Sequence, residues 1–397
     1  MHIAVVSLGA FGHINPTLSV VTELVRRGVR VTYFTTENFR SIVEPTGADF
    51  VPVKSWMEGN DKHNEDKKDD QPEENVAAVV PFLFLNEAGS YIDDILAALE
   101  KDKPDAIMHD FAGIAGTMAA DVLKVPNIMI YTSYPSNESY SVAESFESTP
   151  ADHPLRIAAA QIAQSYAEKY GCRNMTVKEI FDGQGDLNLV MMQKRLVPNN
   201  ESFGDNFVFT GVQIGKRTAF GSWKAPNNGK PLLYSSLGTA FNNWPEYYPI
   251  LFDAVRDLDI NVFAALGAID PASLKDIPAN VEVAQMVPQL DILSQASVFI
   301  THAGMGGTGE AIYYGVPMIA IPQMDEQAIT ARQIEKTGLG VAFLDKSAIT
   351  SEKLKAAIVK LLEDFSYKNT ADDFSADMKS LGGFKASADA IMQFLKK

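Results

Sequence analysis

Apolar and polar positions along this chain follow two periods, one of strands and one of helices. Residues 3–8 form an apolar run and a glycine-containing turn follows. Residues 17–27 then place apolar side chains at helical spacing before Gly28 stops the helix and a second apolar run begins at 29–34. Strand, helix and strand in that order predict a βαβ unit. The pattern returns with 105–108 as strand, 113–123 as helix and 127–131 as strand, which predicts a parallel sheet covered by helices. The second half repeats the style, with short strands over 232–236, 261–266, 281–284, 298–301, 317–321 and 340–343 and helical patterns between most of them. Residues 215–230 mix glycine, asparagine, proline and basic residues without apolar periodicity, the composition of a linker. The expected organisation is therefore an α/β domain over 1–214, a linker over 215–230 and a second α/β domain over 231–397, whose last helices can pack back on the first. The cleft between two such halves is the natural ligand site. Residues 58–74, dominated by charged and amide side chains, read as a solvated loop.

Composition narrows the function. A chain of 397 residues with 46% hydrophobic content is long and apolar enough to bury two cores. With 50 acidic against 34 basic residues the net charge is -16, the wrong sign for nucleic acid or an anionic membrane, so any phosphate must be gripped locally. The single cysteine, Cys172, excludes an intrachain disulfide and reads as a buried small hydrophobe in a reducing compartment. The N-terminal apolar run lacks a basic flank and breaks at Gly9, so it reads as a strand, and no stretch approaches a membrane span. A cytoplasmic protein, monomeric or weakly dimeric, is expected.

The densest chemistry lies between Val287 and Gln327. A strand ends at Thr301, four glycines fall within Gly304 to Gly309, and a helical pattern follows from about Thr308. Such a turn offers backbone N–H groups and a positive helix end to an anion, although glycines there can also be purely steric. His302 can add a donor. Glu310, expected in the first helical turn, can accept from ribose hydroxyls, while Glu326 and Gln327 pair acceptors and donors suited to sugar hydroxyls; both glutamates could instead merely complement helix N-termini.

In the first half, His13 follows the first strand within Gly9-Ala10-Phe11-Gly12-His13-Ile14-Asn15-Pro16, with Asn15 expected as N-cap and Pro16 at the first helical position. A helix N-terminus favours neutral imidazole, the form a general base needs. Asp110 ends another strand of the same sheet, so both side chains should emerge along its C-terminal edge. His109 points the other way and reads as structural. By residues alone His13 is either a base or a capped loop histidine. Asp257 and Asp259 resemble a metal-binding pair but sit at a helix end where exposed carboxylates are common, so no metal site is assigned.

The run from Val287-Pro288-Gln289 through His302 and Glu310 to Glu326-Gln327 resembles the donor signature of the family 1 UDP-sugar glycosyltransferases, with the anchors at that signature's spacing. Gly12-His13-Ile14-Asn15-Pro16 and Ser236-Leu237-Gly238-Thr239 extend the likeness over essentially the whole chain, closest to the bacterial macrolide-type subgroup. The resemblance implies the GT-B fold, two Rossmann-like β/α/β domains facing each other across a cleft, with acceptor bound by the N-terminal one and nucleotide sugar by the C-terminal one. It implies that Val287 offers its backbone to uracil, that Gln289 and Glu310 hold the ribose, and that His302, Thr308 and the loop glycines Gly304, Gly306 and Gly307 hold the diphosphate. Thr239 and Ser236 would close on the diphosphate from the other side, and Glu326 and Gln327 would read the sugar. Three positions depart from the pattern: Met286 stands where many members stack a tryptophan on uracil, and Gly306 and Gly307 replace side-chain donors by backbone alone.

The same resemblance makes His13 the base and Asp110 its partner in an inverting hexosyl transfer, with UDP-glucose as co-substrate and no cofactor or metal. The acceptor would be a small hydrophobic molecule such as a macrolide, flavonoid, steroid or other phenol or alcohol. Phe82, Phe111, Ser133 and Tyr134 are candidates to line its pocket, though such residues can equally be core. A GT-B sugar epimerase and a non-catalytic binder of nucleotide sugar or small molecules are the alternatives.

Overall fold

The computed structural model describes residues 1–59, 76–145, 150–215, 221–238 and 244–396. Most of the charged stretch expected as a loop at 58–74, from residue 60 onward, lies outside the described residues, as does Thr239. The chain divides into two compact units, Met1–Gly215 with Gly382–Lys397, and Lys216–Leu381.

The first unit holds a parallel sheet in the order β3-β2-β1-β4-β5-β6-β7 among the described residues. Its strands are β1 His2–Val6, β2 Arg30–Thr36, β3 Asp49–Val53, β4 Ala106–Asp110, β5 Asn127–Tyr131, β6 Leu187–Val190 and β7 Phe207–Phe209. β1, β4 and β5 are buried along their whole length, because helices cover both faces and the apolar side chains of alternate positions feed two separate cores. Ala4, Val6 and Ile107 enter one core while Ile3, Val5 and Met108 enter the other. Cys172 is buried at the margin of the first. The helix Gly383–Phe394 belongs to this unit, where Ala388 and Ile391 join the second core and Ser387 Oγ donates to Thr210 Oγ1 at 2.9 Å.

The helix after β1 runs Phe11–Arg26 and so begins five residues before Pro16, the expected first helical position. Its N-cap is Ala10, without a side-chain hydrogen bond, and Asn15 and Pro16 lie inside the helix instead of capping it. Pro16 lacks the N–H that would bond the Gly12 carbonyl, a local cost that packing overrides. Ile14 and Thr17 are buried, and Thr17 Oγ1 donates to the Ile14 carbonyl at 2.8 Å and bonds Tyr33 Oη at 2.7 Å.

The second unit holds a parallel sheet in the order β10-β9-β8-β11-β12-β13 among the described residues. Its strands are β8 Leu232–Ser236, β9 Asn261–Ala265, β10 Val281–Ala284, β11 Val298–Thr301, β12 Met318–Ala320 and β13 Gly340–Ala342. In each sheet the strand order reverses once near the centre, between β1 and β4 in the first unit and between β8 and β11 in the second. Helices leaving such a pair go to opposite faces, which opens a crevice at the carboxyl ends of the two strands. Two α/β units of this kind make a Rossmann-like pair.

Candidate active site

At the reversal of the first sheet, His13 is the third residue of the helix after β1 and Asp110 is the last residue of β4. The two strands are neighbours in register, so the sheet carries both side chains to the same edge. His13 Nδ1 makes a short hydrogen bond to Asp110 Oδ2, while Asp110 Oδ1 accepts the backbone N–H groups of Ala112 and Gly113 at 3.1 and 3.0 Å. Burial by itself would push the Asp110 carboxyl up, but the charge and hydrogen bond of His13, the nearby His109 and the Gly113 N–H outweigh it and hold the group below the usual carboxylate range. An ionised Asp110 accepts only, which puts the ring proton of a neutral His13 on Nδ1 and leaves Nε2 as the basic nitrogen.

His109 faces away from this pair. Its Nδ1 lies 2.8 Å from the Asp110 carbonyl, which can only accept, so Nδ1 carries the proton and Nε2 accepts from Thr117 Oγ1 at 3.1 Å. Burial lowers its pKa, and the ring serves as a neutral brace behind Asp110.

Among the acceptor candidates, Phe111 is brought to His13, edge-on with ring centroids 5.7 Å apart, and it also meets Phe84 and Phe181 at 6.0 and 5.8 Å. Phe82 packs edge-on against Trp56 at 6.2 Å, and the buried Tyr134 packs edge-on against Tyr140 at 6.3 Å. Ser133 is half-buried just beyond β5.

At the reversal of the second sheet, Thr301 ends β11 in register with Ser236 at the end of β8, and the helix Met305–Tyr314 follows. It starts three residues before the expected Thr308, so Gly306 and Gly307 are in its first turn and Glu310 moves to the second. The glycines therefore serve the helix itself instead of forming a loop ahead of it. Gly304 is the N-cap with no side-chain cap, and Thr308 N is the first amide bonded back to Gly304 O, at 3.0 Å. The amides of Met305, Gly306 and Gly307 consequently point out of the helix end. Ala303, fully buried, adopts φ 62°, a left-handed conformation that costs a non-glycine residue about 1 kcal/mol and turns the chain sharply into the helix.

His302 lies between Gly304 and Gly238, where added Cβ atoms would come within 2.3 and 3.0 Å of its ring. Burial pushes its pKa down to about 4, so the imidazole is neutral at pH 7. His302 Nδ1 and Thr308 Oγ1 are both buried without a hydrogen-bond partner, while the His302 ring also bonds the Ser236 backbone, so the hydroxyl of Thr308 is the freer donor for a bound anion.

Beside the turn, Gln289 Nε2 donates to Glu310 Oε2 at 2.6 Å, so the structure brings this predicted pair together. Gln289 Oε1 in turn accepts from Tyr234 Oη at 3.0 Å. Tyr234 carries no signal in the sequence, because a tyrosine inside an apolar strand gives no sign of where its hydroxyl goes. Val287 is buried and Met286 is 44% exposed, available to a ligand face. Glu326 is exposed on the first turn of the helix Asp325–Lys336, whereas Gln327 is buried with its Oε1 accepting from Gln323 N at 2.7 Å. Gln327 thus closes a helix start and has only its amide N–H groups to offer a sugar. Asp257 and Asp259 are exposed, with Asp259 paired to Lys230 at 2.6 Å. Among the described residues no group of three or more His, Cys, Asp or Glu side chains could hold a metal ion.

These two units have the architecture of the GT-B glycosyltransferases. The family model described as "Erythromycin biosynthesis protein CIII-like, C-terminal domain" matches residues 249–383. The chain is 35% identical over 397 residues to the NDP-glycosyltransferase YjiC of Bacillus subtilis (strain 168), covering 100% of this chain and 98% of that protein. It is 31% identical to the oleandomycin glycosyltransferase of Streptomyces antibioticus, with 98% and 90% covered. The crystal structure of CalG4, the calicheamicin glycosyltransferase, superposes with a TM-score of 0.86 at 29% identity, over 100% of this chain and 98% of that one. The chain belongs to the macrolide-type family 1 glycosyltransferases.

Proposed function

We propose that this glycosyltransferase moves glucose from UDP-glucose to a hydroxyl of a small hydrophobic acceptor with inversion at the anomeric carbon. The observation that carries the reading is the His13–Asp110 pair, a histidine with its proton fixed on Nδ1 at the strand-order reversal of an α/β sheet. His13 Nε2 takes the acceptor hydroxyl's proton as the oxygen bonds to the anomeric carbon, and the bond from that carbon to the diphosphate oxygen breaks. Asp110 stabilises the imidazolium that results. The departing UDP is held by the outward amides of Met305, Gly306 and Gly307, by His302 and Thr308, and at its ribose by Gln289 and Glu310. Val287 and Met286 take the base, and Glu326 with the Gln327 amide reads the sugar. Because the diphosphate meets a helix end and a neutral imidazole, the proposed grip is one of N–H donors and needs no metal ion. Phe111, against His13, supplies an apolar wall for the acceptor.

Among the described residues no helix is long and apolar enough to cross a membrane. The test is a pair of incubations, with UDP-glucose and with TDP-glucose, each with a phenol and with a macrolide aglycone. A β-linked glucoside formed from UDP-glucose supports the proposal. Retained configuration, or an altered sugar with no acceptor product, would sink it.

A further inference from the structure

We propose that Tyr234 is a positioning residue for ribose recognition, fixing the Gln289 amide so that Gln289 and Glu310 together prefer a ribonucleotide to its 2′-deoxy counterpart. The inference rests on the reading of Gln289 and Glu310 as the ribose site and adds a residue that would not touch the nucleotide. A carboxylate oxygen can only accept, so the 2.6 Å contact between Gln289 and Glu310 must be made by the amide nitrogen. The amide oxygen is thereby turned to the phenol of Tyr234, 3.0 Å away, and that hydroxyl has to donate. It is well placed to do so, since burial pushes the Tyr234 pKa up and keeps its proton on.

The phenol is itself immobilised. Tyr234 is completely buried in β8, and its ring stacks on Phe299 of β11 with centroids 4.9 Å apart and planes 7° from parallel. Gly307, in the first turn of the glycine-rich helix, has the Phe299 ring and Gln289 Nε2 as near neighbours, 3.7–3.8 Å from where its Cβ would be. The relay Tyr234–Gln289–Glu310 therefore runs from the rigid sheet to the edge of the candidate diphosphate turn. Without the phenol, the Gln289 oxygen loses its buried donor and only the Glu310 contact holds the amide, so the side chain is no longer fixed at both ends and the geometry offered to a ribose diol loosens.

Titration calorimetry with UDP and with dUDP, which differ only in the 2′-hydroxyl, tests the relay. Tyr234→Phe keeps the stacked ring and removes the hydroxyl alone. It is expected to weaken UDP about fivefold to tenfold, in the range of one net hydrogen bond, and to leave dUDP nearly unchanged. In a Gln289→Ala background the same substitution should add nothing, because Tyr234 acts through Gln289. Glu310→Gln separates the two layers of the argument. If Glu310→Gln selectively weakens UDP while Tyr234→Phe weakens both nucleotides equally or neither, the ribose site stands and Tyr234 is only part of the packed core. If the wild-type protein and Glu310→Gln both fail to distinguish UDP from dUDP, the ribose reading is wrong and the proposal falls with it.

Discussion

The two units share one architecture yet prepare their polar groups in opposite ways. At the strand reversal of the first, His13 and Asp110 satisfy one another, and the second oxygen of Asp110 is taken up by two backbone amides. At the reversal of the second, His302 Nδ1 and Thr308 Oγ1 are buried without partners beside a helix whose first amides point outward. A group that must move a proton needs its tautomer and orientation set beforehand. A group that binds an anion is best left unpaired until the anion arrives, at some cost to the empty protein. The same sheet geometry therefore yields a finished dyad in one unit and an open cradle in the other.

The largest effect that could break this contrast is on catalysis. His13→Ala should lower transfer about 10²–10⁴-fold while UDP affinity by calorimetry stays unchanged, because the lost residue belongs to the proton-moving unit. The defect should shrink with an acidic phenol as acceptor and be greatest with an aliphatic alcohol. Equal defects for both acceptors, or a UDP affinity that collapses with the rate, would make His13 structural.

Next in size is a stability effect specific to the open cradle. His302 has its pKa lowered from 6.5 to about 4 in the folded protein, so the unfolded chain binds the extra proton between those values. Stability should then fall as pH drops from about 6.5 to 4, by roughly 3 kcal/mol from this group. The neutral His109 acts in the same direction, whereas the lowered Asp110 contributes stability that is lost only below the ordinary aspartate range. Urea unfolding across this window should show the slope, and His302→Gln should make it shallower. A slope identical in both proteins would mean that His302 is not buried neutral.

A smaller effect concerns donor binding. Gly304 has ordinary backbone angles, so Gly304→Ala brings no backbone strain, but its methyl would sit 2.3 Å from His302 Nε2 and displace the ring. UDP affinity should drop about tenfold, the scale of one hydrogen bond to a charged group, with acceptor binding untouched. Unchanged UDP affinity would remove His302 from the phosphate site. The smallest expected effect is none: excess EDTA should leave turnover intact, since helix amides and neutral side chains make the proposed grip. Loss of activity restored by Mg²⁺ would show that a metal completes the site.

The sequence by itself was a good guide wherever an apolar or alternating pattern ran unbroken between turn residues. Five strands of the second sheet, and β1, β2, β4 and β5 of the first, are largely apolar runs bounded by turn residues, and β10 alternates apolar side chains with the exposed Glu282. Of the three strands with weaker patterns, β3 and β7 are the two edges of the first sheet, while β6 is buried between β5 and β7. β3 is Asp49–Val53, half exposed and carrying Pro52, as an edge strand tolerates. β7 spans only Phe207–Phe209. β6 is broken as a pattern by the buried Asn188, whose side chain accepts from Gly185 N at 2.9 Å and donates to Gly185 O at 3.1 Å. Nothing in the local sequence could announce that satisfaction.

Sequence also determined which residue types gather around each turn: the histidine after β1, the aspartate closing β4, and the glycines, glutamate and glutamine beyond β11. Only the tertiary structure decided how they meet. It started the His13 helix at Phe11 in spite of Pro16, because the burial of Ile14 and Thr17 outweighs one lost backbone bond. It drew the Gly-rich segment into the helix from Met305, which leaves three amides pointing outward, and it tied Gln327 to Gln323 N. It joined Tyr234, Gln289 and Glu310, residues from one strand and two helices. Local propensity acts over a few residues, whereas hydrogen bonds between side chains 97 or 55 positions apart exist only once the sheet has set the distance between their strands.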